Sequence, residues 1–385
     1  MQVYLDNSAT TPVAPEVKQA MLEVIDRYYG NPSSLHSLGG QAEKLLVRSR
    51  EVIAEALDIS PHEVVFTSGG TESNNLAIKG IAFQYRSRGK HLITSQIEHS
   101  AVYDVCQALE RDFGFEVTYL PVDQNGIVSL DHLKKALRDD TILVSIMHVN
   151  NEMGALQPLE EIGQLIKRYP KTFFHVDQVQ GIGKAPLNIK DWGIDLLSIS
   201  GHKIHAPKGT GLLYVREGVE LYPLFHGGGQ EKGRRSGTEN VPGIVALAKA
   251  LRLIKEKEKE HRKHFLNLRR KLLAELQGME GVFINTPLDE QLAAPHIINL
   301  SCPGVKPEVL VHALAEQGIY VSTTSACSSK AQKPSRTLEA MGLASHRLHS
   351  AIRISFSIYS SEEEVDQLIK ALKRLIPELK HVMRV

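Results

Sequence analysis

The stretch "LLSISGHKIHAPKGTGLLYV", residues 196–215, decides how the rest of the chain is read. Two short apolar runs, 196–200 and 211–215, flank a glycine-containing turn that carries His202, Lys203 and His205. Runs this short, apolar on both alternations, are expected of strands covered on both faces. An isolated loop lysine is, in most chains, a solvated surface group. Lys203 stands instead just past the end of a buried strand, where open α/β sheets bind ligands. A partly desolvated lysine there sheds its proton and forms a Schiff base with a carbonyl. His202 and His205 have metal-ligand chemistry, but no third ligand candidate lies nearby, so no metal is expected.

Outward from that stretch the same pattern repeats. "VVFTS" (64–68), "HLITS" (91–95), "VTYLPV" (117–122), "ILVSIMHV" (142–149) and "TFFHVD" (172–177) alternate with helical segments. This is the pattern of an α/β domain with a mainly parallel sheet, seven-stranded when the two runs of the opening stretch are added. Residues 38–57 have helical spacing, and residues 240–277 read as one long helix. Glu256, Glu258 and Glu260 interleave with its lysines, which describes a solvated face rather than an RNA-binding one. From about 281 the pattern becomes that of a smaller α+β domain, with strands "GVFIN", "HIINLS", "IYVST" and "AIRISFS", a helix at 307–317 and a last helix from 361. The expected division is an N-terminal segment 1–15 packing with the small domain, a large domain 16–250 and a small C-terminal domain 251–385.

Composition narrows the function classes. With 45 basic and 44 acidic residues and 42% hydrophobic content, the chain has no overall field for nucleic acid or membrane surfaces. No apolar run is long enough to span a bilayer. The start "MQVYLDNSATTP" has neither a basic nor an apolar region, so no export signal is expected and the cytoplasm is the default. Cys106, Cys302 and Cys327 are odd in number and widely spaced, which suits a reducing compartment rather than a disulfide framework.

Three further junctions carry chemistry. In "TFFHVDQVQGIGK" Asp177 follows a strand directly; it reads either as a turn cap or as the carboxylate that keeps a pyridine nitrogen protonated. Gln180 stands three residues on, positioned to hydrogen-bond a ring oxygen. In "VVFTSGGTESNNLAIKG" a strand runs through Gly69, Gly70 and Thr71 into a helix, either an ordinary N-cap or a phosphate cradle. It is neither G-x-G-x-x-G nor a P-loop, which argues against NAD and ATP. In "TSQIEHSAVYD" His99 is either a surface histidine or a group that stacks on a flat ring and shuttles protons. One ligand accounts for the lysine, carboxylate, cradle and histidine together: pyridoxal 5′-phosphate. Finally, "STTSACSSKAQKPS" (322–335) sets Cys327 among small polar residues with Lys330 close by, an environment for an accessible thiolate.

On these residues the chain resembles the cysteine desulfurases of the NifS/IscS type, in the class V aminotransferase group of fold-type I pyridoxal-phosphate enzymes. The likeness runs nearly end to end, through "YLDNSATTP", "GNPSSLH", "VFTSGGTESNNLAIKG", "EHSAV", "SIMHVNNEMG", "HVDQVQ", "SGHKIHAPKG", "HGGGQEKGRRSGTEN", "SACSS" and "IRISFS" in family order. The resemblance makes the large domain the one that binds pyridoxal phosphate, and the small domain the one that carries the Cys327 loop.

The resemblance also assigns roles. Lys203 would carry the cofactor and later remove the substrate's α-proton. Asp177 and Gln180 would hold its ring, with His99 stacked on it and serving as a proton carrier. Gly70, Thr71, Ser200 and His202 would bind its phosphate. Thr238 would reach the phosphate of a neighbouring subunit, which implies a homodimer. Asn151 and Arg353 would hold the substrate, Arg353 as the fork for its carboxylate, although a surface ion pair is the plain alternative for that arginine. Cys327 would be the nucleophile that takes sulfur from L-cysteine as a persulfide, releasing L-alanine, while Cys106 and Cys302 would be structural. The sulfur acceptor is expected to be a tRNA-thiolation sulfurtransferase or an iron–sulfur scaffold. Thr324 stands where the housekeeping iron–sulfur members have glycine, and the chain stops at Val385, short of their scaffold-docking tail. Lys330, Lys333 and Arg336 would suit an acidic acceptor surface. The rival readings are a selenocysteine lyase or aminotransferase on the same fold, and a non-catalytic sulfur carrier, which would have no use for Lys203, Asp177 and His99.

Overall fold

The computed structural model describes residues 2–323 and 334–383. After a short strand β1 (Val3–Tyr4), the apolar runs of the first half become β2 (Val64–Thr67), β3 (His91–Ser95), β4 (Glu116–Leu120), β5 (Thr141–Met147), β6 (Phe173–Asp177), β7 (Leu196–Ser200) and β8 (Gly211–Val215). These seven form one sheet in the order β2-β8-β7-β6-β5-β3-β4. Only β8 runs against the others, pairing antiparallel with β2 and β7. The remaining pairs are parallel, so β3, β5, β6 and β7 deliver their carboxyl ends to one side of the sheet.

Both faces of the sheet are covered, which is why its strands lack a polar alternation. Phe66, Ile93, Val144, Phe174, Leu197 and Leu212 face a core built with the helices Pro15–Arg27, Ser37–Leu57 and Val241–Glu256. Their neighbours Val65, Leu92, Leu143, Leu196 and Leu213 face a second core with the helices Gly70–Gln84 and Ser100–Phe113. Each strand thus feeds alternate side chains to opposite layers.

The second half adds β9 (Phe283–Ile284), β10 (Ile297–Ser301), β11 (Ile319–Tyr320), β12 (Ser322–Thr323) and β13 (Ala351–Ser355). A four-stranded sheet runs β12-β13-β10-β9, and β1 pairs in parallel with β11. Val3 and Leu5 are buried in this lobe's core with Phe265, Leu268, Ile352 and Phe356. Among the described residues no helix is long and apolar enough to cross a membrane.

Two elements differ from the sequence reading. The single helix expected over 240–277 is two, Val241–Glu256 and Glu258–Gln277, separated at Lys257, whose φ of −116° and ψ of 20° leave the helical region. The reason lies in packing. Ile244, Leu247 and Leu251 belong to the large core, whereas Phe265, Leu268 and Leu272 belong to the small one, and one straight stripe cannot face both. Likewise "IYVST" is not one strand: β11 pairs with β1 and β12 pairs with β13, with Val321 between them.

Phe174 is fully buried in β6, the strand that ends at Asp177. Phe174→Ala is expected to destabilise the protein by about 3–5 kcal/mol, the usual range for emptying an aromatic core site. Denaturant unfolding measures it, and a loss below about 1 kcal/mol would contradict the packing described.

Candidate active site

The site is built where the strands end. β6 closes on Asp177, whose Oδ2 accepts from Asn74 Nδ2 at 2.8 Å and whose Oδ1 accepts from the Val179 N–H at 3.0 Å. Asn74 lies one turn into the helix Gly70–Gln84, on the face turned to the sheet. Asp177 is buried and enters no ion pair among the described residues. Gln180 donates through Nε2 to the Ser8 carbonyl at 2.9 Å, while its Oε1 is buried without a partner among the described residues.

β7 ends at Ser200 and turns directly into Gly201–Lys203. The Lys203 Nζ donates to the carbonyls of Ser8 at 2.5 Å and Ala9 at 2.7 Å. The N-terminal segment is laid across this turn, since Thr11 donates through its backbone N–H to the His202 carbonyl at 2.9 Å. Burial pushes the His202 imidazole down to about 4, with Lys203, Lys208 and Lys184 adding to the effect.

β2 leads through Gly69 and Gly70 into its helix. A Cβ on Gly70 would lie 2.8 Å from a Val179 methyl, so only glycine lets the backbone lie this close to the turn after Asp177. His99 caps the helix Ser100–Phe113, its Nδ1 accepting from the Ala101 N–H at 3.1 Å. That bond leaves the proton of the neutral ring on Nε2. Burial holds the His99 pKa below its ordinary value, with Asp177 opposing and Lys203 reinforcing.

Gly70, Thr71, His99, Asn151, Asp177, Gln180, Ser200, His202, Lys203 and Arg353 all line one cavity of about 370 Å³. Arg353 is not a surface ion pair. It is buried in the wall, donating to the Asn151 carbonyl and to Asp6 Oδ1, both at 2.9 Å, and its Nε has no partner among the described residues. Thr238 is not brought to this cavity; it lines a separate cleft with Thr67, Gly209 and Arg235. Cys327 lies outside the described residues. The chain on either side of 324–333 adjoins the cavity wall, however. Ser322 pairs with Arg353 across β12 and β13, and Ser335 donates to Glu152, next to Asn151.

Several residues of the site escape sequence reading. Asn74 sits inside the quoted glycine-rich motif, but only the fold reveals its partner. Asp6 and the carbonyls of Ser8 and Ala9 come from the "YLDNSATTP" block, which shows no chemistry of its own. Lys184 is buried and donates to the Lys203 carbonyl at 3.2 Å. Glu98, beside His99, accepts from Ser95 Oγ at 2.6 Å and from the Met147 N–H at 3.1 Å, and burial pushes its carboxyl up to about 8.

Comparison with known proteins settles the family. The aminotransferase class-V family model matches residues 3–368. The chain is 45% identical over 383 residues to cysteine desulfurase IscS of Dictyoglomus turgidum, covering 99% of this chain and 96% of that one. It is 46% identical over 380 residues to cysteine desulfurase IscS of Methanosarcina thermophila, covering 99% and 93%. The chain belongs to the aminotransferase class-V family, among the cysteine desulfurases of the NifS/IscS type. Among solved structures, a NifS-like protein superposes with a TM-score of 0.93 at 42% identity, covering 98% of this chain and 100% of that one. The cysteine desulfurase of Thermococcus onnurineus NA1 superposes at 0.88 with 26% identity, covering 98% and 95%.

NifS/IscS-type enzymes are fold-type I and work with pyridoxal phosphate, and the cavity fits that group on three counts. Asp177 offers a buried carboxylate held by neutral donors, suited to a protonated ring nitrogen. Gln180 lines the cavity and its buried amide oxygen has no partner among the described residues, so its hydrogen-bonding capacity is not used up. Gly70 and Thr71 open a helix whose N-terminus lines the cavity, suited to a phosphate.

Glu98, buried beside His99, gives a pH test of this packing. Its folded carboxyl holds a proton up to about 8 against an ordinary 4.5, so the unfolded chain ionises first as pH rises. Stability from this group is therefore full below the ordinary value and is lost as pH climbs toward 8, by at most about 1.4 kcal/mol per pH unit. Glu98→Gln is expected to flatten that slope, gaining on the wild type between about pH 5 and pH 8 in urea unfolding. Parallel stability curves for the two proteins would contradict the assignment.

Proposed function

We propose that this chain removes sulfur from L-cysteine, releases L-alanine and holds the sulfur as a persulfide on Cys327. The observation that carries the reading is the convergence of Lys203, Asp177, His99 and Arg353 on one cavity from separate elements of the fold. When bound, pyridoxal phosphate supplies an electron sink that makes the substrate's Cα–H acidic. Lys203 would hold it through Nζ, Asp177 through the ring nitrogen and Gln180 through the ring oxygen, with the ring face falling to His99. Gly70, Thr71, Ser200 and His202 would take the phosphate.

The chain's own groups then divide the work. Arg353, with Asn151 beside it, binds the substrate carboxylate, while Asp6 keeps the guanidinium in place. The Lys203 amine accepts the Cα proton. His99, with its proton on Nε2 and its ring neutral, carries protons across the cavity. The Cys327 thiolate bonds to the substrate sulfur as the substrate's carbon–sulfur bond breaks. The electron pair of that bond stays with the carbon skeleton, which takes up a proton and leaves as alanine.

The persulfide would pass to an acceptor protein, a tRNA-thiolation sulfurtransferase or an iron–sulfur scaffold. We read the working form as a homodimer. Leu22, Ile25, Tyr29 and Leu35 leave an apolar surface on and after the first helix, with Leu35 fully exposed at 106% and Tyr29 at 74%. Thr238, placed away from its own chain's cavity, is free to complete the phosphate site of a second copy. We propose an N-terminal segment 1–15, a large domain from 16 and a small domain to 385, with the boundary at Lys257 rather than at 250 because Leu251 and Ile254 pack in the large core, and a cytoplasmic location, which suits the buried, unpaired Cys106 and Cys302.

Cys327→Ala is expected to keep the visible absorbance of the loaded protein and to lose sulfide formation from L-cysteine by about 100-fold or more. Undiminished sulfide release would overturn the nucleophile, and full turnover of selenocysteine in the same variant would favour a lyase. For the dimer, Tyr29→Asp with Leu35→Asp should shift light scattering from dimer toward monomer. A wild-type protein that is monomeric at micromolar concentration would rule it out.

A further inference from the structure

In "GQEKG" (229–233) two glycines hold positive φ, as glycine readily does, but so do Glu231 at 51° and Lys232 at 58°. Consecutive left-handed residues that carry a Cβ are strained and persist only where surrounding contacts over-determine them. Glu231 supplies those contacts. Its side chain is 3% exposed and accepts from Arg50 Nη2 at 2.7 Å, from Arg50 Nη1 at 3.1 Å and from the Phe66 N–H at 3.0 Å. Phe66 belongs to β2, the edge strand of the large sheet. Arg50 caps the same edge, donating to the Val64 carbonyl and lying 4.6 Å over the Phe66 ring.

A second ion pair fastens the far side of the loop. Arg235 donates to both oxygens of Glu72, at 2.7 and 3.3 Å, and Glu72 also accepts from the Ser68 N–H at 2.9 Å. Between the two ties, Gln230 Oε1 accepts from the Gly237 N–H at 2.9 Å. The neighbour of the anchor thus sets the neighbour of Thr238. Thr238 itself is exposed and lies outside its own chain's cavity. Strain held this firmly at a loop that ends in an exposed threonine points to a use outside the chain.

We propose that Glu231 is a positioning residue for Thr238 in the dimer: its grip on Arg50 and on the edge of β2 holds 229–237 in the strained form that presents Thr238 to a phosphate in the second copy's cavity. The inference rests on the reading of the working form as a homodimer with Thr238 serving across it. Glu231 touches neither substrate nor cofactor. It acts through Thr238 alone, and on the partner's cavity rather than its own.

The test is a mixed dimer of full-length chains, co-expressed with two different tags and purified on both. Pyridoxal phosphate is titrated in and trapped with borohydride, and mass spectrometry reads the fraction carried on Lys203. Glu231→Gly removes the carboxylate without adding strain, and its homodimer is expected to bind about 10-fold more weakly, the effect of losing one hydrogen bond to a charged group. Lys232→Gly eases the same strain, keeps the anchor and should bind like the wild type. A Glu231→Gly chain is then paired with a Lys203→Ala chain. Lys203 of the first chain now meets the intact loop of the second, so wild-type affinity should return. Affinity that stays low places the action of Glu231 within its own chain and overturns the proposal. So does undiminished binding in the Glu231→Gly homodimer, or an equal loss in Lys232→Gly. If Glu231→Gly does not fold, hydrogen exchange of the wild type decides: protected Phe66 and Gly237 amides support the anchor, and exchange at the rate of a free chain refutes it. A wild type that is monomeric in light scattering removes the dimer reading and this proposal with it, whereas a dimer that fails the mixed-chain test leaves that reading standing.

Discussion

A carboxylate taken out of water is unfavourable, and folded chains keep one only when something fixes it in place. Here Asp177 is held by the Asn74 amide and the Val179 N–H, both neutral. Those two donors come from different elements, the helix after β2 and the turn after β6, so the carboxylate can be held only once the strands are in register. Parallel pairing of β5, β6 and β7 then brings Asn151, Asp177 and Lys203 to the same side of the sheet. The rest of the cavity follows from this alignment. The helix that supplies Asn74 also presents its N-terminus at Gly70 and Thr71.

The second structural theme is the N-terminal segment, which laces the lobes together across the cavity. β1 adds to the small lobe through β11, and Asp6 then pairs with Arg353 of β13. Ser8 and Ala9 accept from Lys203, Ser8 also accepts from Gln180, and Thr11 donates to the His202 carbonyl. A segment of a dozen residues thus touches both Lys203 and Arg353. This strap ties the Arg353 wall of the cavity to its Lys203 wall.

Much of this was legible beforehand because the signals are local. A strand buried on both faces shows as an unbroken apolar run, and all seven runs of the large sheet form strands where they stand. Lys203, Asp177 and His99 were visible because each falls directly after such a run. What escaped depends on partners distant in sequence. The break at Lys257 is invisible because every residue around it favours a helix; the choice between two cores decides it. Asn74, Glu98 and Lys184 look like ordinary polar residues on amphipathic segments until the fold buries them against Asp177, Met147 and Lys203. Thr238 was legible as a motif, and the fold sets it in a different cleft from its companions.

A crystal structure of the full-length protein grown with pyridoxal phosphate tests the central claim most directly. It is predicted to show Lys203 Nζ bonded to the cofactor's aldehyde carbon, the ring nitrogen within hydrogen-bonding distance of Asp177, and the phosphate on Gly70, Thr71 and Ser200. A cofactor attached to another lysine, or a ring nitrogen turned away from Asp177 toward solvent, would contradict it.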